Sequence, residues 1–125
     1  MISAAMLDEI NRLRADASAA PIRLNAQLTA AAEGHARDMA AQNRAWHFGS
    51  DGSSPAERAG RAGYGGGIIG ENIAENSKKG IPTLAAWMQE RDTRDVIMDP
   101  AAKEMGLAWY QDPTGRLWWV LLMGG

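Results

Sequence analysis

An imidazole and two carboxylates are the side chains of this sequence best suited to chemistry. They are His47 in H-F-G-S-D-G-S-S-P, Glu71 in G-E-N-I-A and Glu104 in K-E-M-G-L-A-W. They lie far apart along the chain, each where a regular element begins or ends. Groups of these types can converge on a metal ion, on a polar ligand or on one another. As a catalyst, His47 would act as general base, and Glu71 or Glu104 would orient it or hold a metal-bound water. Taken singly, each has a plainer role. His47 reads as a surface histidine of a glycine- and serine-rich loop. Glu71 reads as an edge carboxylate or structural ion pair, and Glu104 as a solvated strand-end charge.

Other arrangements carry less. His35 lies on the apolar stripe of a helix with Asp38 one turn on, and reads as a core histidine held by a hydrogen bond. No G-x-S-x-G elbow supports a His35–Asp38–serine relay, and no H-E-x-x-H helix exists. Ser50, Ser53 and Ser54 read as turn and cap residues. Gly65 to Gly70 formally satisfies G-x-G-x-x-G, but a helix precedes it and a strand follows, the reverse of a dinucleotide site. Trp87, Trp109, Trp118 and Trp119 read as core. Trp46, beside His47 in a loop, is the tryptophan placed to touch a ligand.

The elements that must position these groups follow from spacing and turn chemistry. Met6, Ile10, Leu13 and Ala17 recur at helical intervals, and Pro21 closes that first helix. Asn25 caps a second helix with Leu28, Ala32, His35 and Met39 on one face. Ser54-Pro55-Ala56-Glu57 is a capping box opening a third helix that stops near Gly63. Gly63 to Gly70 form a loop, and Glu71 to Glu75 a short strand. A fourth helix runs from about Pro82 through Leu84, Trp87 and Met88. A short one covers Arg94 to Met98. Met105 to Gln111 and Arg116 to Met123 form a hairpin around Asp112-Pro113-Thr114-Gly115. Its second strand is apolar on both faces, which predicts a central strand with Trp118 and Trp119 packed beneath different helical layers.

A chain of 125 residues predicts one domain over 1–125, able to bury roughly two-thirds of its unfolded surface without staples. A net charge of −2, with no basic run beyond Lys78-Lys79, excludes the electrostatic footprint of nucleic-acid binding. The absence of cysteine excludes disulfides, thiolate metal sites and a cysteine nucleophile. Charges at Asp8, Glu9, Arg12 and Arg14 rule out a signal peptide at the start of this sequence. The longest apolar run, Leu117 to Met123, is too short to span a bilayer.

From about Leu24 to the C-terminus the chain resembles the CAP superfamily (cysteine-rich secretory proteins, antigen 5, pathogenesis-related class 1), in its cysteine-free bacterial branch. L-N-A-Q-L-T-A-A-A-E-G-H-A-R-D-M-A looks like the family's first conserved helix. G-E-N-I-A is the most specific segment, and A-W-M, R-x-x-I-M-D-P and E-M-G-L-A look like the second half of the pattern. The resemblance implies an α+β fold, a single α-β-α sandwich with a small antiparallel sheet between helical layers. It implies a cavity lined by His47, Glu71 and Glu104, with Asn72 holding a loop and Trp46 nearby. It also implies a divalent ion, zinc, on His47, Glu71 and Glu104. Here the chain departs from the pattern: where relatives write S-P-G-H-R-x-N-I-L, Thr93 replaces the second histidine and Val96 the asparagine. Arg94 is then placed to enter the cavity and pair with Glu71 or Glu104 instead of a cation. The implied function is a non-enzymatic, monomeric, extracytoplasmic module. Its partner would be a small polar or lipidic ligand, a metal or a cell-envelope protein. A His/Glu hydrolase and a ligand-free interaction domain are the alternatives.

Overall fold

The computed structural model describes residues 2–77 and 80–125; the Lys78-Lys79 pair lies outside them. The elements run α1 (Ile2–Asp16), β1 (Arg23–Leu24), α2 (Ala26–Gln42), α3 (Pro55–Arg61), β2 (Ile68–Asn76), α4 (Ile81–Gln89), α5 (Arg91–Met98), β3 (Glu104–Gln111) and β4 (Leu117–Gly124). The sheet order is β1-β3-β4-β2. β4 pairs antiparallel with β2 and β3, whereas β1 joins β3 in parallel. The sheet is therefore mixed, not wholly antiparallel. The difference comes from two exposed residues, Arg23 and Leu24, too short a run to leave an alternating pattern in the sequence.

β4 is central and buried along its whole length, as an apolar strand flanked on both sides requires. Its residues alternate between two cores. Leu117, Trp119, Leu121 and Met123 pack with α1, α4 and α5 through Met6, Ile10, Leu84, Trp87 and Ile97. Trp118, Val120 and Leu122 pack with α2 and α3 through Leu28, Ala32, Met39 and Ala59. The adjacent tryptophans thus serve opposite layers, since successive side chains of a strand point to opposite faces. Among the described residues no helix is long and apolar enough to cross a membrane.

Local chemistry sets most boundaries. The Asn25 side chain accepts from Leu28 N, and Ser54 and Glu57 complete a reciprocal capping box with Pro55 at the first helical position. α1 ends at Asp16, short of the predicted stripe, so Ala17 lies outside the helix. The position that completes the stripe is Arg14, fully buried beside Met6 and Ile10. Its guanidinium donates to the carbonyls of Ala20, Ile97, Asp99 and Ala102. One cation thereby ties α1 to the segment joining α5 and β3. α5 begins at Arg91, three residues before the predicted start, with Glu90 between it and α4. β2 begins at Ile68, so the glycine loop feeds directly into strand, with a register shift between Ile68 and Gly70. Beside this edge strand, the Trp87 indole donates to Ile73 O at 3.0 Å.

α2 lies close against β3 because Gly106 has no side chain. A Cβ there would stand 2.2 Å from Leu28 C and 2.4 Å from Leu28 O. Gly106→Ala is therefore expected to lose about 3 kcal/mol of stability, the upper range for overpacking, read from urea denaturation. In the hairpin turn, the Thr114 hydroxyl and then the Trp118 indole hold the Asp112 carboxyl down to about 2. A depressed carboxylate contributes stability above its unfolded value, and that contribution fades as pH falls toward about 2. Asp112→Asn should flatten the acid limb of the stability–pH profile below about pH 4.

Candidate functional site

Glu71 sits on β2 opposite Leu122 and faces the α2–α3 layer. Its carboxylate is 1% exposed. An isolated buried carboxylate is costly, so its partners decide whether it is tolerated. Arg58 Nη2 donates to Oε2 at 2.8 Å, and His47 Nδ1 lies 2.9 Å from Oε1. Because the carboxylate only accepts, Nδ1 carries the hydrogen, and His47 points Nε2 away from Glu71. The His47 side chain is 52% exposed. An inner carboxylate therefore orients an outer imidazole.

Each partner is delivered by local sequence chemistry. α2 ends at Asn43 in the left-handed conformation, which turns the chain into the loop carrying His47. Asp38 Oδ2 accepts from Ser50 N at 2.8 Å and pins the far side of that loop to α2. The capping box and Pro55 then start α3 and aim Arg58 at Glu71, while its other terminal nitrogen donates to Ser53 O at 2.7 Å. Arg58 is one-tenth exposed.

His35 stands behind the pair. Its Nε2 lies 2.8 Å from Trp46 O, so Nε2 carries the hydrogen and donates. The 3.9 Å separation from Glu71 Oε1 is too long for a hydrogen bond. Burial pushes the His35 pKa below the usual imidazole value, against the pull of Glu71. The ring is then the neutral Nε2–H form, with Nδ1 buried and unpartnered. His35 is a core histidine, as its position on the stripe implied, but its partner is the Trp46 carbonyl and not Asp38. Trp46 is held by its indole on Gln42 at 3.0 Å, by Arg44 3.7 Å above its ring, and by Phe48 edge-on at 5.7 Å.

The remaining expected cavity residues lie elsewhere. Glu104 shares the sheet face of Glu71, two strands away, and its carboxylate is bound by Asn25 and Tyr64, each at 3.1 Å, with Arg23 at 3.5 Å. The Asn25 amide above all, then Tyr64 and Arg23, hold its pKa below the usual range. Asn72 is buried on the other face and donates to Thr93 O at 2.8 Å. Thr93 directs its hydroxyl to Trp87 O at 2.6 Å, joining α4 to α5. Arg94 is exposed, and among the described residues its ion pair is with Asp95, at 3.9 Å. It does not reach Glu71 or Glu104; the arginine at Glu71 is Arg58. The sequence carried a sign of this, because α3 lies between the His47 loop and the Glu71 strand and carries Arg58 and Arg61.

This donor set does not fit a divalent ion. Both Glu71 oxygens are engaged, His47 turns a protonated nitrogen inward, and Glu104 is occupied by other partners. Among the described residues no group of three His, Cys, Asp or Glu side chains is placed to hold a metal.

A family model described as CAP, the cysteine-rich secretory protein family, matches residues 7–123. No sequence among the curated proteins matches. Among solved structures, an outer surface protein of Borrelia burgdorferi superposes with a TM-score of 0.89 at 15% identity, over 98% of this chain and 91% of that one. An extracellular protein containing an SCP domain from Bacillus anthracis gives 0.87 at 21% identity, over 96% of this chain. A cysteine-rich secretory protein of Staphylococcus aureus gives 0.73 at 16%, also over 96%. The chain spans 39% and 36% of the length of those last two. At these identities the likeness is one of fold.

Removing Arg58 strands a buried charge. Arg58→Met is expected to lose about 3–5 kcal/mol, and Arg58→Met/Glu71→Met to recover most of it. A double-mutant cycle from chemical denaturation reads the coupling.

Proposed function

The chain belongs to the CAP family of cysteine-rich secretory proteins, and from that premise we propose that it is a single-domain, monomeric, non-enzymatic extracytoplasmic module. It binds a small polar ligand at the corner framed by Trp46, His47 and Glu71. The observation that carries this reading is the half-exposed imidazole clasped from behind by a buried carboxylate. Such a ring is fixed in direction and offers Nε2 to whatever settles on the loop. Its orientation is set before the ligand arrives, which lowers the ordering cost of binding.

The neighbouring groups favour binding over hydrolysis. A general base needs a nucleophile or a held water within reach. The Ser54 hydroxyl caps α3, and the Ser53 hydroxyl is engaged with Asp51. Glu71 is neutralised by Arg58 and orients His47 without a third catalytic member.

A lipidic ligand is the second reading, and a different observation supports it. Between α1 and α4 lies an almost wholly apolar groove of about 260 Å³ lined by Leu13, Ile81, Leu84, Ala85 and Met88, with Glu9 at its margin. Ile81 is 47% exposed there. The groove has the character of a site for part of one acyl chain.

The readings separate by experiment. A panel of small organic acids and sugars is screened by amide chemical-shift perturbation. A ligand that moves residues 46–48 should lose at least about tenfold in affinity in His47→Ala, on the order of 1.4 kcal/mol. A dansylated fatty acid should be weakened by Ala85→Trp and indifferent to His47→Ala. Hydrolysis of p-nitrophenyl acetate should proceed equally in parent and His47→Ala. A His47-dependent rate would replace the binding reading with the hydrolase.

A further inference from the structure

We infer that Arg58 is the resident cation of this site: its guanidinium stands at Glu71 where a divalent ion would otherwise coordinate, and in the same stroke it fixes the loop that presents His47. A carboxylate with 1% exposure needs a positive partner, and two kinds are available to a protein, a metal ion or a basic side chain. This chain holds the second in a geometry a metal could not share. Arg58 Nη2 occupies Glu71 Oε2, and the Nδ1–H of His47 occupies Oε1. His35 cannot supply a further lone pair at Glu71, because its nearer nitrogen is the donor to Trp46 O.

The guanidinium also does what a point charge would not. Its planar fork divides between two targets, Nη2 on Glu71 and Nη1 on Ser53 O. Ser53 O in turn accepts from Gly49 N at 2.9 Å, closing the turn that follows His47. Neutralising the buried charge and setting the loop are thus one act of one side chain. Arg58 is accordingly a positioning residue for His47. The site should be indifferent to the supply of divalent ions, unlike one built around a coordinated cation.

The test is thermal unfolding of the whole chain with zinc chloride, with EDTA, and with millimolar guanidinium chloride. The parent should melt at one temperature in zinc and EDTA. Arg58→Ala should melt lower and be raised by about 5 °C or more by zinc or guanidinium. Arg58→Ala/Glu71→Gln should show no such rescue, because the anion that attracts the cation is gone. A purely structural role for Arg58 would not make stability cation-dependent. Saturable zinc binding by the parent that disappears in His47→Ala would overturn the inference, as would an Arg58→Ala protein rescued by neither cation. If Arg58→Ala does not fold, Arg58→Lys decides. This variant keeps the charge but not the fork, and should fold, stay indifferent to zinc, and broaden the His47 ring signals in NMR spectra. A Lys variant that binds zinc at Glu71, or whose His47 signals match the parent, would overturn it.

Discussion

A single carboxylate drawn out of water organises one side of this molecule. Glu71 lies on the edge strand with almost no exposure, in surroundings where an unpaired charge would cost several kcal/mol. Its tolerance depends on groups from two other segments, Arg58 from α3 and His47 from the loop after α2, with the neutral His35 of α2 standing behind them at 3.9 Å. Each segment is held by its own local device: the left-handed Asn43, the Ser54–Glu57 box, and the burial of His35 against Trp46 O. The ion pair adds little net stability to a fold that apolar burial already supports. At this carboxylate α3, the loop and the strand meet.

The opposite layer contains a second buried arginine that solves a different problem. Arg14 touches no carboxylate; its donors end on main-chain carbonyls from two parts of the chain, Ala20 and residues 97–102. Those carbonyls lie in the last turn of α5 and in the segments after α1 and α5, and buried acceptors there need donors. The guanidinium fork supplies several at once. Burial lowers the Arg14 pKa, with Asp99 opposing. One arginine thus compensates a charge and the other compensates backbone, each within its own layer.

The parts that were legible in the sequence are those fixed by local periodicity or turn chemistry. The hairpin, the opposite-facing Trp118 and Trp119, and the caps at Asn25 and Ser54 all follow from residues within a few positions of one another. The approach of His47 to Glu71 was suggested by resemblance to a family, because nothing local encodes a contact over that span. Arg14 and Arg58 were hidden for one physical reason. A long basic side chain gives the same sequence signal whether its head is solvated or buried, and only tertiary acceptors separate the cases. The same holds for Glu104, whose Asn25 and Tyr64 partners are far off in sequence. Arg94 looked closer to Glu71 only because its segment aligned with the family pattern. β1 was missed because two residues carry no period.

The indole of Trp87 on Ile73 O has a consequence for how molecules of this chain meet one another. β2 is the sheet's long edge, and a free edge strand invites pairing with another chain. The indole removes an acceptor from the middle of that edge, while Asn72 ties the strand to α5 through Thr93 O. At the other border the sheet ends in only two residues, Arg23 and Leu24. The β2 edge is thus blunted at its middle as a template for a neighbouring strand, and β1 covers only Glu104 and Met105 of the opposite margin.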